Sequence, residues 1–155
     1  GIVADDIPEV ALPGNAGTAR IIAGNYGDVS GPARTFTPMN VWDLHLVNGG
    51  EAKFAAHEGH TLALVVLHGT VRVNGTSASE GQLVHLERAG SEVRIEAQID
   101  STLVWLEGQP IAEPIVGYGP FVMNTEGEIR QAIEDFNSGR FGRIAAATAG
   151  GYTRA

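Results

Sequence analysis

The sequence predicts an all-β domain, a small barrel or sandwich, with one helix toward its carboxy-terminal end. Three observations carry this. Short stretches rich in valine, isoleucine, leucine and tryptophan alternate apolar and polar residues with a period of two. Glycines, 21 in 155 residues, cut the chain into segments, and turn signals recur about every 8–12 residues, as in sandwiches and barrels. The period changes to that of a helix only after Thr125.

Residues 1–18 read as an extended arm or linker, punctuated by Pro8, Pro13, Gly14 and Gly17. The barrel is assigned to residues 19–110. Ala19–Ala23 is its first short strand. Val41–Val47 alternates, with Trp42, Leu44 and Leu46 facing the core and Asp43 and His45 facing out. Asn48-Gly49-Gly50 is a turn signal before Glu51–Ala55, where Phe54 is the core residue. Thr61–His68 is a nearly unbroken apolar run and reads as a strand buried on both faces. Gly69 breaks it, and Thr70–Asn74 alternates cleanly behind it. Gln82–Leu86 and Glu92–Glu96 follow, the latter with Val93 and Ile95 inward. Ser101–Leu106 is a second buried run.

Residues 111–143 form an apolar loop and a capping helix. Glu113–Asn124 holds two prolines and two glycines, so it is neither a regular helix nor a central strand. Thr125 and Glu128 have capping-box spacing. Ile129, Ala132, Ile133 and Phe136 recur at i, i+3, i+4 and i+7, and Gly139 stops the helix. Residues 144–155 are small and glycine-rich and read as a flexible tail.

Composition excludes several classes. There are no cysteines, hence no disulfide, thiolate metal site or cysteine nucleophile. The net charge is −8, with Lys53 the single lysine. An acidic surface repels phosphate backbones, so direct nucleic-acid binding is not expected. No apolar run approaches a membrane span of about 20 residues, and the first residues lack the basic start of a signal peptide. A cytoplasmic location is the expectation, with the nucleus an alternative in a eukaryote.

Four segments, Pro32–Leu44, Glu58-Gly59-His60, Glu113–Thr125 and Phe136–Gly142, together resemble the carboxy-terminal half of pirin-type proteins. The resemblance runs from about Asp5 to Arg143. It implies a cupin-type, jelly-roll barrel, one of two in a bicupin. It also implies that iron or another divalent metal sits in the amino-terminal cupin, on three histidines and a glutamate. Several such proteins are quercetin 2,3-dioxygenases, and the eukaryotic pirin is a nuclear, iron-dependent transcription cofactor. That metal-bearing half has no counterpart here. The sequence is read as a piece of a bicupin in preference to a single-cupin descendant of its second half.

No catalytic residue is assigned. Counted against the cupin motifs, His57 falls at the second histidine. Ala55, Thr61 or Leu62, and Val93 stand at the other three ligand positions. His60 could substitute, but three residues along one strand puts it on the opposite face, and only a loop could bring the pair together. An imidazole pair without a carboxylate is a weak site, so no metal or cofactor is expected in this chain. His45, His68 and His85 read as an outer-face pair with Asp43, a strand end and a partly buried histidine. The main functional expectation is a lobe without its own complete metal site, with a structural, docking or regulatory role beside the metal-binding amino-terminal cupin or another protein. Its contacts are assigned to Ile115, Val116, Tyr118, Phe121, Met123, Ile129, Ile133 and Phe136. The alternatives are part of a quercetin 2,3-dioxygenase-type oxygenase, or a metal-free binder of a small ligand.

Overall fold

A computed structural model describes residues 1–143; the tail assigned to residues 144–155 lies outside the described residues. The chain divides into two compact units, Gly1–Pro110 and Ile111–Ala155. The first contains strands β1 (Glu9–Ala11), β2 (Gly17–Ala23), β3 (Asn25–Tyr26), β4 (Val29–Ser30), β5 (Met39–Leu46), β6 (Glu51–Ala55) and β7 (Thr61–His68). It continues with β8 (Thr70–Val73), β9 (Thr76–Ser79), β10 (Leu83–Leu86), β11 (Glu92–Ala97) and β12 (Ser101–Gly108). The second holds β13 (Val116–Tyr118), β14 (Phe121–Met123) and helix α1 (Glu126–Asn137).

Two large antiparallel sheets and the small β3–β4 hairpin form the first unit. One has six strands in the order β1-β2-β5-β12-β7-β10, the other four in the order β6-β11-β8-β9. Their inner faces share one apolar core, the two-layer arrangement of cupin-like sandwiches. The proline-punctuated opening is more than an arm: Glu9–Ala11 pairs with β2 as the edge strand of the larger sheet.

Alternation decides what lies inside. On β5, Asn40, Trp42, Leu44 and Leu46 are buried; on β12, Ser101, Leu103, Trp105 and Glu107 are buried. These strands pair with Trp42 opposite Trp105, and the indoles stack with centroids 4.9 Å apart. Phe54 of β6 crosses from the other sheet to lie 5.4 Å from Trp105, and Tyr26 meets Trp42 edge-on at 5.4 Å. Aromatic pairs of this kind add about 0.5–1.5 kcal/mol beyond the area they bury.

β7 departs from the sequence expectation. Leu62, Leu64 and Val66 are buried, but Ala63 and Val65 are only half-buried and Leu67 is 52% exposed. β12 behaves alike, with Leu106 exposed. The physical reason is the layer count: a two-layer sandwich packs one face of each sheet against the other. His85 corrects in the same direction. Val84 and Leu86 turn inward on β10, so His85 and Leu83 are exposed. His45 does pair with Asp43 at 3.2 Å on the outer face, and His68 ends β7 beside Glu80, also at 3.2 Å.

In the second unit the proline-glycine stretch closes as a hairpin. Tyr118 pairs with Phe121 across Gly119-Pro120, and Gly119 takes a φ of 56°, which glycine adopts at no steric cost. The hairpin lies against α1. The capping box is complete: Glu128 N–H donates to Thr125 Oγ1 at 3.2 Å and Thr125 N–H donates to Glu128 Oε2 at 2.8 Å. Ile129 and Ala132 are the buried residues of the helix. Phe136 joins Phe121 and Phe141 in an edge-to-face trio with centroids 6.0–6.3 Å apart.

One-face burial of β7 gives a direct test. Leu64→Ala, at a fully buried position, is expected to cost about 2–5 kcal/mol in urea unfolding. Leu67→Ala, three residues on, is expected to stay within about 1 kcal/mol. Equal losses would mean that both faces are packed.

Candidate functional site

The site grows from the last inward position of β12. Trp105 and Leu103 face the core, and period two carries the next inward side chain to Glu107. It is a carboxylate in an apolar interior, 3% exposed. Burial alone would push its carboxyl up. The His57 backbone N–H, the Asn40 amide, the His57 ring and the Trp105 indole outweigh that and hold it below the ordinary range. The distances account for this. His57 N–H donates to Oε1 at 2.7 Å, Asn40 Nδ2 to Oε2 at 2.8 Å and Trp105 Nε1 to Oε2 at 3.3 Å.

Asn40 reaches Glu107 because it stands opposite it in the β5–β12 register and is also inward-facing. Its Oδ1 accepts from Asn25 N–H at 3.0 Å, which fixes the amide's orientation. His57 and His60 come from the loop between β6 and β7. Ala56 N–H bonds Ser91, Gly59 N–H bonds Arg88 and His60 N–H bonds His57 O at 3.1 Å, while Gly59 turns at a φ of 87°. The loop folds the two imidazoles onto each other, stacked with centroids 4.8 Å apart. His57 Nδ1 lies 2.9 Å and His60 Nδ1 3.5 Å from Glu107 Oε1. One ligand atom from each of the three residues falls within 4.8 Å of the others.

Both histidines line a cavity of about 330 Å³, with Leu62, Val73, Val84 and Val93 among its apolar walls and Asn74, Thr76, Glu87, Arg88 and Glu92 among its polar ones. The inward apolar residues place it at the mouth of the sandwich.

The sequence expectation counted two imidazoles and no carboxylate; the structure supplies the carboxylate. The apolar run Ser101–Leu106 stops one residue short of Glu107. Continuing the alternation Leu103, Trp105 by one step finds it. Its partner Asn40 carries no distinguishing sequence signal beyond standing two residues before Trp42. Other acids are ordinary: Glu96 meets Arg94 at 3.2 Å, Asp100 accepts from Asn48 N–H at 2.7 Å and Glu126 meets Arg130 at 3.8 Å. Of the eight residues assigned to partner contact, Ile115, Tyr118 and Phe136 are exposed, and Val116, Phe121, Met123 and Ile133 are half-buried. Ile129 is buried in the chain's own structure, 6% exposed, and so is not free for a partner. Val122, 67% exposed, is a further large apolar side chain on the hairpin.

Residues 41–142 match the family described as the pirin C-terminal cupin domain. The chain is 49% identical over 136 residues to "Putative quercetin 2,3-dioxygenase PA2418" of Pseudomonas aeruginosa, covering 88% of this chain and 48% of that protein. It is 30% identical over 140 residues to human pirin, covering 86% and 48% respectively. A crystal structure of quercetin 2,3-dioxygenase from Acinetobacter baumannii superposes with a TM-score of 0.85 at 48% identity, over 92% of this chain and 50% of that one. The chain thus spans about half the length of the curated relatives it matches. Among the described residues no helix is long and apolar enough to cross a membrane.

The depressed Glu107 carboxyl has a defined sign. Between its folded value and the unfolded value of about 4.3, the unfolded chain binds more protons, so stability rises with pH there. The contribution is full above the unfolded value and is lost as pH falls through the folded one. With a chelator present, Glu107→Gln is expected to cost about 1–3 kcal/mol at pH 7, and less at pH 3, in urea titrations. An undiminished gap at pH 3 would contradict it.

Proposed function

The chain belongs to the pirin family, as its carboxy-terminal cupin domain, and from that premise we propose that it is a non-catalytic lobe working beside a metal-bearing cupin. The observation that carries this reading is the filled interior. Trp42, Phe54 and Trp105 pack together across the middle of the sandwich, and the open space lies beside the histidine loop. Three ligand positions expected from the cupin resemblance hold Ala55, Thr61 or Leu62, and Val93, none of which offers the imidazole or carboxylate of a cupin metal site. The lobe's work is therefore docking, in the cytoplasm, against the amino-terminal cupin of a two-lobed protein. The iron or other divalent ion that the resemblance implies for the amino-terminal cupin, and any flavonol chemistry on it, belong to that other lobe. Ile115, Tyr118, Val122 and Phe136, exposed on the hairpin and helix, supply apolar contact area, since large apolar side chains left in water mark interfaces. Val116, Phe121, Met123 and Ile133 support them from beneath.

A second reading draws on the mouth cavity. A space of about 330 Å³ is within the range of small-ligand sites, and two imidazoles with a carboxylate could serve a metal-dependent oxygenase, or a metal-free binder.

Size-exclusion chromatography with the amino-terminal half of the Pseudomonas relative separates the readings. Co-elution is expected, with no bleaching of quercetin by this chain alone. Tyr118→Asp with Phe136→Asp is expected to weaken the complex at least about tenfold. A chain that stays monomeric beside the added half, or that turns over flavonol by itself, overturns the proposal.

A further inference from the structure

We propose that His57, His60 and Glu107 form a binding site for one divalent first-row transition-metal ion. The inference is independent of the docking reading: it concerns what this chain holds by itself.

The geometry comes first. Two ligands at right angles on an ion with bonds of about 2.1 Å lie about 3 Å apart. His57 Nδ1 and His60 Nδ1 lie 2.9 and 3.5 Å from the same carboxylate oxygen, and the three residues' ligand atoms span no more than 4.8 Å. The two edges that meet at Oε1 are already near the edge length of an octahedral face, and the imidazoles lie close enough for a bound ion to draw the third edge in.

The second argument is a count of lone pairs. An ionised carboxylate offers about four acceptor sites. On Glu107, Oε2 takes Asn40 and Trp105, and Oε1 takes the His57 backbone N–H. One site remains, and two imidazole nitrogens converge on it. A proton on His57 Nδ1 fills it and leaves His60 Nδ1 over. That nitrogen is indeed buried with no hydrogen-bond partner, one of two such side-chain atoms among the described residues, with Trp42 Nε1. A single cation accepts from both nitrogens and the oxygen at once, as no proton can.

The surroundings fit the same ion. Asn40 and Trp105 lock the carboxylate, and backbone bonds from Ala56, Gly59 and His60 set the histidine loop, so outer partners already orient the ligands. The cavity beside the two histidines has room for water to complete the coordination. Two imidazoles and one carboxylate select iron(II), cobalt, nickel or zinc over calcium or magnesium, which take oxygen donors.

Cobalt(II) provides the test, because its visible absorption reports nitrogen and oxygen ligation directly. The 155-residue chain, stripped with a chelator, is expected to bind one Co²⁺ per chain, with the ligand-field bands saturating at that ratio. His60→Asn should weaken binding at least about tenfold, and Glu107→Gln likewise. His60→Asn leaves every hydrogen bond to Glu107 in place, so it reads ligation without the folding cost of removing the carboxylate. His85→Asn, on the wall of the same cavity, should bind as the parent does. Absence of saturable binding, or undiminished binding by His60→Asn, would overturn the inference. So would loss in His85→Asn that matches the loss in His60→Asn.

Discussion

A buried carboxylate at the end of β12 is the constraint that the mouth of this sandwich obeys. Taking an ionised carboxylate out of water costs several kcal/mol unless donors replace the water. Glu107 finds them on every element within reach: the Asn40 amide on β5, the Trp105 indole on its own strand, and the backbone and ring of His57 in the β6–β7 loop. Each donor is thereby fixed in turn. Asn40 carries the restraint on to Asn25, and Trp105 carries it into the aromatic stack with Trp42 and Phe54. One side chain thus couples the loop's conformation, the facing strand and the packing of the core. It does so at the end where the cavity opens.

Most of the strand plan was legible because a period of two is a local property. Trp42, Leu44, Leu46, Phe54, Val93 and Ile95 face inward as alternation requires, and the capping box at Thr125 formed as its spacing dictates. The unbroken apolar run of β7 misled, because composition cannot say how many layers cover a sheet. Leu67 is exposed for that tertiary reason alone. The site was half legible. Loop geometry was named as the only way to bring His57 and His60 together, and the Gly59 turn does so. Glu107 is fifty residues away in sequence and enters only through the strand register. No spacing rule joins a loop histidine to a glutamate that far along.

The hairpin-and-helix unit follows a different logic from the sandwich. Its interior is small: Ile129 and Ala132 are buried on α1, and Phe121, Phe136 and Phe141 meet edge to face. Gly119 and Pro120 set the turn, and Thr125 with Glu128 sets the helix start, so local chemistry fixes the shape with little core behind it. A unit built this way leaves large apolar side chains in water, as Ile115, Tyr118 and Val122 show. In the docking proposal this matters because contact area held in place by turn and capping chemistry loses less entropy on association than area on a floppy segment.

Charge closes the reasoning about the mouth. The donors that satisfy Glu107 are neutral, apart from whatever charge the two imidazoles carry. Among the described residues no lysine or arginine comes within ion-pair distance of it. Hydrogen bonds from amides and an indole offset the burial of the anion and hold its carboxyl below the ordinary range, but they do not cancel its charge. In a chain with a net charge of −8 the long-range field gives no relief. Any positive charge that meets Glu107 has to arrive locally, and the two imidazoles beside Oε1, stacked on each other, are the groups placed to carry or recruit it. Under the metal site proposed above the pair has a shared role, because two imidazoles and one carboxylate are a ligand set that a single cation holds together.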